Sequence, residues 1–202
     1  MTKSCIYYLT PPSPYVYLGH QRFTALVADH AVEVDVRPFD LGRVFGLSGG
    51  LPLAKRAPQR QAYRLLELQR WSRFLGLPLN LQPTFFPTAA DPASRLIIAA
   101  KLAGGNDAAM LLTGAMGRAV WAEQRNIADP ATLAAIATET GLDGAALMDA
   151  AASPAVQAEY DRYTDDAIAA NVFGAPWYVV DGVGYWGQDR LDFVERAFAQ
   201  PG

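Results

Sequence analysis

The spacing of apolar residues changes along the chain, and each change predicts a different element. The apolar run Cys5–Leu9 is typical of a buried strand, and the prolines after it end that strand. An apolar-periodic segment from Pro14 to about Asp29 predicts a helix, and Val32–Val36 alternates apolar and polar residues as a second strand does. Two strands joined by a helix predict a β-α-β unit with parallel strands and a right-handed crossover.

The next stretch has little periodicity. From Pro38 to Pro58 we expect an irregular loop, because glycines and a proline interrupt it repeatedly. A helix is expected from Pro58 to about Leu75, since Gly76 and Pro78 would end it. Residues 79–91 are punctuated by prolines and are predicted to be extended.

An alanine-rich helical region is predicted from Pro92 to about Phe173. Its breaks are expected near Gly104-Gly105, Asp129-Pro130, Gly141 and Ser153-Pro154. Asp129-Pro130 and Ser153-Pro154 are each typical of a capping residue followed by proline at the first helical position.

The pattern then returns to strands. Trp177–Val180 and Val183–Trp186 flank Asp181-Gly182, and this arrangement predicts a β-hairpin with a tight turn. A last helix is expected to begin over residues 187–190. Its apolar face would carry Leu191, Val194 and Phe198.

Composition places the chain among globular proteins. It has 202 residues, of which 51% are hydrophobic and 18% charged, enough for one large domain or a small domain with an insertion. We see no signal peptide and no run of eighteen apolar residues, so we expect neither secretion nor a membrane span. Cys5 is the only cysteine, which excludes an internal disulfide and fits a reducing compartment. With only two histidines besides, no metal site is expected.

Positive charge is concentrated in one segment. The net charge is −3, yet residues 37–73 hold eight basic and two acidic residues and are therefore at +6. A local positive field in an acidic protein favours a small anionic ligand over nucleic acid. The alternative is a solvated helix face, because several of these residues recur at steps of three and four, namely Arg60, Arg64, Glu67, Arg70 and Arg73.

Ser13 marks the start of the first helix. Serine is a preferred N-cap and Pro14 suits the first helical position, so the Ser13 hydroxyl should lie among free backbone N–H groups. Such a position can hold an anion. The alternative is a cap with no further role.

Three motifs carry a resemblance to a known family. They are Ser13-Pro14-Tyr15, the Leu65–Trp71 helix segment, and the tail that runs from Phe173–Trp177 to Trp186–Leu191. In this order they resemble the DsbA-type branch of the thioredoxin superfamily, and within it the kappa-class glutathione transferases and the 2-hydroxychromene-2-carboxylate isomerases. The resemblance implies an α/β, thioredoxin-like fold with a large all-helical inserted domain. The thioredoxin-like domain would be residues 1–55 and 172–202, and the insertion residues 56–171.

The resemblance also implies a source of sulfur. Redox members of the superfamily carry Cys-x-x-Cys where this chain has Ser13–Val16, so the protein itself cannot exchange disulfides there. Glutathione would be the cofactor, and Ser13 would be the catalytic residue that hydrogen-bonds its thiolate. Cys5 lies within a predicted strand and is interpreted as a buried structural residue.

Further roles follow from the same resemblance. Pro176 matches a family proline that is cis, which would turn the backbone of Ala175 toward the ligand. Asp189 would bind the γ-glutamyl ammonium group, and its alternative role is a plain carboxylate at a helix start. Gln188 would donate to the γ-glutamyl carboxylate, and Arg60 would pair with a carboxylate of the ligand or substrate.

The function implied is a glutathione-dependent isomerase that acts on a small aromatic carboxylate. Two alternatives stay open: a kappa-like transferase or peroxidase, and a non-catalytic glutathione-binding protein. These alternatives stay open because the chain has Gly50 where the family commonly has Asn. The family also implies a homodimer, and the single cysteine fits a cytoplasmic location. His20 and His30 are interpreted as ordinary helix residues without an acid–base role.

Overall fold

The computed structural model of the chain describes residues 3–200 and contains a four-stranded sheet. The strands are β1 (Ser4–Leu9), β2 (Glu33–Pro38), β3 (Trp177–Val180) and β4 (Val183–Trp186). Their order in the sheet is β2-β1-β3-β4, with β1 parallel to β2 and the other two pairs antiparallel. The predicted β-α-β unit and the predicted hairpin are both confirmed.

Local sequence explains the helix and the turn that complete these two units. Helix α1 (Pro14–Asp29) joins β1 to β2 and has the predicted bounds. In the hairpin, Asp181 and Gly182 have φ of 50° and 79°, the pair of positive values that a type I′ turn requires. A 3₁₀ turn at Gln188–Arg190 then leads into helix α8 (Leu191–Ala199).

Between β2 and β3 the chain is mostly helical, as predicted. The helix at Pro58–Leu75 (α3) has the predicted bounds. A long helix, α4, follows and is interrupted at Gly105, whose φ of 77° confirms a break near Gly104-Gly105. The remaining helices begin at the predicted cap pairs and near Gly141. These elements are α4 (Asp91–Trp121), α5 (Pro130–Glu139), α6 (Gly144–Ala151) and α7 (Pro154–Ala169).

The helical region is less continuous than predicted, because residues 122–129 form a loop. Asn80 explains where α4 ends. Its side-chain amide donates to the carbonyls of Trp121 and Ala122, both at 3.1 Å, and its backbone N–H donates to Trp121 at 2.7 Å. Carbonyls at the end of a helix have no partner within the helix, and here a distant side chain supplies it.

The prediction of an irregular loop from Pro38 to Pro58 is wrong. The segment contains helix α2 (Leu41–Ser48) and a 3₁₀ turn at Leu53–Lys55. Asp40 caps α2, because its carboxylate accepts from the N–H groups of the second and third helical residues at 2.8 and 3.1 Å. Gly49, with φ of 74°, ends the helix in the left-handed conformation.

Helix α4 forms much of the core. By length and composition alone it could span a membrane, since its most apolar 18-residue window has a mean hydropathy of 1.3. More than half of that window is buried within the fold, as in a core helix, and α4 contacts both α1 and β2.

Cys5 is buried as predicted, and burial raises the pKa of its thiol to about 12. His20 packs against Gly114 of α4, and burial lowers the pKa of its imidazole to about 4. The His20 side chain is therefore neutral at pH 7.

A charged network joins the sheet to the helices. Lys101 of α4 donates to the Asp35 carboxylate of β2, and also to the Tyr163 hydroxyl and the Val36 carbonyl, each at 2.8 Å. Arg37 binds the other oxygen of Asp35 at 2.7 Å. Burial acts to raise the pKa of Asp35, but the hydrogen bonds from Lys101 and Arg37 outweigh it, so the pKa is lowered. Asp35 is therefore ionised in the folded protein and ties two elements together.

Replacing Lys101 should destabilise the fold in a pH-dependent way. We expect Lys101→Met to lower the free energy of unfolding at pH 7 by roughly 1–3 kcal/mol, the range for hydrogen bonds to charged groups. Because the pKa of Asp35 is lower in the folded protein, the network stabilises above the unfolded value of about 3.9 and loses its effect as pH falls through the folded value. The difference between wild type and variant should therefore shrink at acidic pH.

Urea unfolding of both proteins at several pH values measures this. Lys55→Met is the matched control, because the Lys55 side chain is exposed and makes no hydrogen bond or ion pair with any residue in 3–200. An equal loss of stability at every pH would contradict an ionic role for Lys101.

Candidate functional site

A cleft of about 960 Å³ opens at the start of α1. Its walls come from α1, α2, α3 and the segment that precedes β3. A smaller depression of about 400 Å³ over residues 84–89 has no charged residue in its lining, whereas the cleft has several. Aromatic rings line much of the cleft: Tyr15, Phe45, Tyr63, Phe86, Phe173 and Trp186.

Ser13 lies in this cleft as the N-cap of α1. Its hydroxyl oxygen accepts from the N–H of Val16 at 3.4 Å, and the hydroxyl donates to the carbonyl of Ala175, also at 3.4 Å. Both contacts are long for hydrogen bonds that involve a hydroxyl. The hydroxyl can therefore turn toward a ligand at small cost, while the helix N-terminus supplies a positive end.

The segment before β3 forms the part of the cleft wall beside Ser13. Ala175 lines the cleft, and the peptide bond between Ala175 and Pro176 is cis, as the family resemblance implies. The Pro176 carbonyl accepts from the N–H of Gly187 at 3.0 Å, which fixes this segment to the end of the hairpin. The start of α1 and the start of β3 are thereby held side by side.

The structure brings some of the predicted site residues together and leaves others outside. Ser13, Ala175 and Arg60 line the same cleft. Gln188 does not, because it is 1% exposed and packs against Gly19, where an added Cβ would lie 2.6 Å from the Gln188 Cβ. Asp189 lies beyond the cleft wall and pairs with Arg190 at 3.4 Å. The ligand roles assigned to Gln188 and Asp189 stay predictions.

Arg64 and Tyr15 are two of the polar side chains of the cleft that were not assigned a role from sequence; Arg56, Gln59 and Glu67 are others. Arg64 lines the cleft and is half-buried, and burial lowers the pKa of its guanidinium. Tyr15 lies near Arg64. Burial raises the pKa of the Tyr15 hydroxyl, and the positive charge of Arg64 partly offsets that rise. Arg64 follows Arg60 by one helical turn, so the sequence indicated a shared face. Only the packing of α3 reveals that Arg64 lies deeper than the exposed Arg60.

Phe45 explains the glycine at position 50. A Cβ at Gly50 would lie 2.2 Å from Cδ1 of the Phe45 ring, closer than any real contact allows. Phe45 of α2 therefore occupies the space that a side chain at position 50 would need, and both residues line the cleft. Phe45 thus adds an apolar ring to the lining of the cleft where position 50 carries no side chain.

Comparisons with known proteins agree with this architecture. The model of the DSBA-like thioredoxin domain family matches residues 11–199. The chain is 30% identical to the 2-hydroxychromene-2-carboxylate isomerase of Sphingobium xenophagum, over 96% of this chain and 97% of the relative. It is 31% identical to the enzyme of the same name from Pseudomonas putida, over 93% and 90%.

A more distant relative is the glutathione S-transferase kappa 2 of Caenorhabditis elegans, 24% identical over 94% of this chain and 88% of the relative. Among solved structures, a 2-hydroxychromene-2-carboxylate isomerase superposes with a TM-score of 0.79 at 28% identity, over 96% of this chain and 93% of the other. The predicted fold class and the predicted resemblance are both confirmed.

Steric exclusion between Phe45 and position 50 can be tested directly. We expect Gly50→Asn to lower the free energy of unfolding by about 1–3 kcal/mol, because overpacking forces the ring to move. Adding Phe45→Ala should make the Asn substitution much less costly, so a double-mutant cycle from urea unfolding should give a clear favourable coupling.

Gly46→Asn is the control for the helical region itself, because nothing lies within 4 Å of a Cβ added at Gly46. If the effects of Phe45→Ala and Gly50→Asn on the free energy of unfolding are additive, the Phe45 ring and a side chain at position 50 do not compete for the same space.

Proposed function

The chain belongs to the DSBA-like thioredoxin domain family, in the branch of the 2-hydroxychromene-2-carboxylate isomerases and kappa-class glutathione transferases, and we propose that it is a glutathione-dependent isomerase. Its reaction interconverts the chromene form of a small aromatic carboxylate and the trans-o-hydroxybenzylidenepyruvate form. The observation that carries the proposal is the Ser13 hydroxyl at a helix N-terminus, open to a cleft of aromatic rings and arginines.

The donor set of the cleft fits glutathione. This tripeptide has a thiol, two carboxylates and an ammonium group, and when bound it supplies a thiolate that can add to a conjugated double bond and leave again. Ser13 would hold the sulfur, and the backbone of Ala175 would form an edge beside the peptide. Arg60 would meet a carboxylate. Asp189, just outside the cleft wall, would attract the ammonium group.

Ser13 acts on the protonation state of the thiol. Partial positive charge at the start of α1 and a hydrogen bond from the hydroxyl both favour the thiolate over the thiol. The hydroxyl now donates to the Ala175 carbonyl at 3.4 Å, and rotation about one bond would redirect it to a sulfur atom. Since the thiolate is the nucleophile, this raises the reactive fraction at neutral pH.

The walls of the cleft support an aromatic acid as substrate. Rings such as Tyr63, Phe173 and Trp186 can stack on an aromatic group and exclude water from it. Arginines on α3 can bind its carboxylate in the bidentate way that guanidinium groups favour. We place the enzyme in the cytoplasm as a homodimer, in keeping with the single buried cysteine and with the family.

A kappa-like glutathione transferase is the second candidate. The 24% identity to a kappa-class transferase over nearly the whole chain favours it. Phe45 and Gly50 do not distinguish the two candidates, because the isomerases and the transferases both commonly carry Asn at this position. The two candidates differ in the fate of glutathione, which an isomerase regenerates and a transferase leaves attached to its product. A protein that binds glutathione without turnover is the remaining alternative.

Ser13→Ala should separate binding of glutathione from activation of its thiol. In the wild type we expect the bound thiol to have a pKa lower than that of a free thiol by roughly one unit or more. In the variant the pKa should return toward the free value, because the hydroxyl donor is gone. The ultraviolet absorbance of the thiolate, followed against pH, measures this, and calorimetric titration gives the affinity.

Ser153→Ala is the matched control, because Ser153 caps α7 with the same Ser-Pro pair and accepts from Val156 N–H at 3.3 Å. Each substitution should cost about 1 kcal/mol of stability through loss of a cap. Only Ser13→Ala should change the thiol. Failure of the wild type to bind millimolar glutathione would overturn the glutathione-dependent proposal.

Glutathione consumption distinguishes the two enzyme candidates. With trans-o-hydroxybenzylidenepyruvate and sub-stoichiometric glutathione, we expect many turnovers to the chromene form while the free-thiol titre stays constant. A thiol titre that falls in step with loss of the substrate would instead establish a transferase. Binding of glutathione with no change in the spectrum of the substrate would leave the non-catalytic alternative.

A further inference from the structure

Arg64 is a half-buried cation without a partner. Within residues 3–200 no carboxylate lies within 4 Å of its guanidinium, and no hydrogen bond from its side chain is present. Some partly buried arginines are paired, as Arg37 is with Asp35 and Asp166 and Arg125 is with Glu139, whereas Arg56 and Arg95, like Arg64, have no carboxylate within 4 Å in residues 3–200. A guanidinium that is removed from water without an anion beside it is energetically unfavourable, and an anionic ligand would offset that cost.

Two aromatic rings hold the Arg64 guanidinium in place. It lies over the rings of Phe86 and Trp121, 5.3 and 5.7 Å from their centroids. Trp121 is fully buried, and its indole N–H donates to the carbonyl of Pro12 at 3.2 Å. The Phe86 and Trp121 rings also pack against each other at 4.8 Å. Stacking on ring faces leaves the in-plane N–H donors of a guanidinium free for a planar anion.

Tyr15 adds a second donor to the same part of the cleft. Its side chain is half-buried and lines the cleft, and its hydroxyl makes no hydrogen bond to any residue that the structure describes. Arg64 is the largest charge effect on the Tyr15 hydroxyl, and Tyr15 is likewise the largest charge effect on Arg64, so the two groups lie close together. A neutral phenol and a guanidinium both donate hydrogen bonds, which is the pattern that a carboxylate needs.

From this geometry we propose that Arg64 and Tyr15 form a subsite that binds the carboxylate of the aromatic acid. The inference deepens the proposed function and rests on it for the identity of the acid. Glutathione also has carboxylates, but the exposed Arg60, one turn away and at the outer part of α3, is available to them. The cleft is lined by further aromatic rings, Phe45 and Tyr63 among them, and these favour an aromatic acid over the tripeptide at the deeper position.

The experiment compares two probes that differ by one group, without glutathione present. They are trans-benzylidenepyruvate, which carries the carboxylate, and trans-benzylideneacetone, which has a methyl group in its place. In calorimetric titrations we expect the wild type to bind the first about tenfold more tightly or better, as hydrogen bonds to a charged group imply. In Arg64→Met this preference should disappear while the affinity for benzylideneacetone stays unchanged.

Matched variants show which arginine acts. Arg73→Met removes an exposed arginine from the same helix, outside the cleft, and should leave the preference intact. Arg64→Lys, which keeps the charge but loses the planar fork, should keep part of it. Tyr15→Phe should reduce it by a smaller factor than Arg64→Met does.

If Arg64→Met still binds benzylidenepyruvate more tightly than benzylideneacetone by the wild-type factor, the proposal is overturned. An equal loss of affinity for both probes also overturns it, because it would show that Arg64 has a packing role only. Weaker binding of glutathione with unchanged binding of benzylidenepyruvate would assign the subsite to the tripeptide and overturn the assignment to the aromatic acid. Because glutathione is absent from the main titration, failure of glutathione to bind the wild type overturns the proposed function separately.

Discussion

The free backbone N–H groups at the start of α1 are the feature on which the candidate site depends. A helix of 16 residues presents a positive end there, and Ser13 meets it with a hydroxyl instead of a thiol. The fold holds this end beside Ala175, whose carbonyl accepts from the Ser13 hydroxyl at 3.4 Å, and the N–H of Gly187 donates to the neighbouring carbonyl of Pro176. The same helix terminus could stabilise any anion, so the chemistry depends on what the surrounding walls admit.

Those walls come from elements far apart in sequence, which limits what the sequence alone can predict. Strands, the hairpin and the cap-initiated helices carry local signals such as Asp181-Gly182 and Ser153-Pro154, and these were predicted correctly. Helix α2 was missed because Gly42 and Gly46 weaken its pattern, although Asp40 and Gly49 mark its ends. Its capping signals were present in the sequence, and they proved more informative than helix propensity.

How deeply a side chain is buried in the folded protein cannot be predicted from local sequence patterns. The spacing of Arg60 and Arg64 shows that they share a face of α3, but only tertiary packing decides which one meets the Phe86 and Trp121 rings. The burial of Gln188 against Gly19 is a second case, because the family resemblance that implied its ligand role carries no information about its exposure. The space beside Gly50 is likewise fixed by Phe45, whose contact with it depends on how α2 ends.

The basic segment of residues 37–73 acquires a clear division of roles in the structure. Arg37, Arg43 and Arg70 are paired with carboxylates, so their charges are largely neutralised and serve the joints between elements or the helix surface. The arginines that line the cleft have no carboxylate within 4 Å in residues 3–200, namely Arg56, Arg60 and Arg64. Three of the five basic residues of this segment that have no carboxylate partner in residues 3–200 thus line the cavity that also holds Ser13, together with Glu67. Because an unpaired guanidinium is costly where water is scarce, this distribution stabilises the folded protein less than pairing would, and a bound anion would offset that cost.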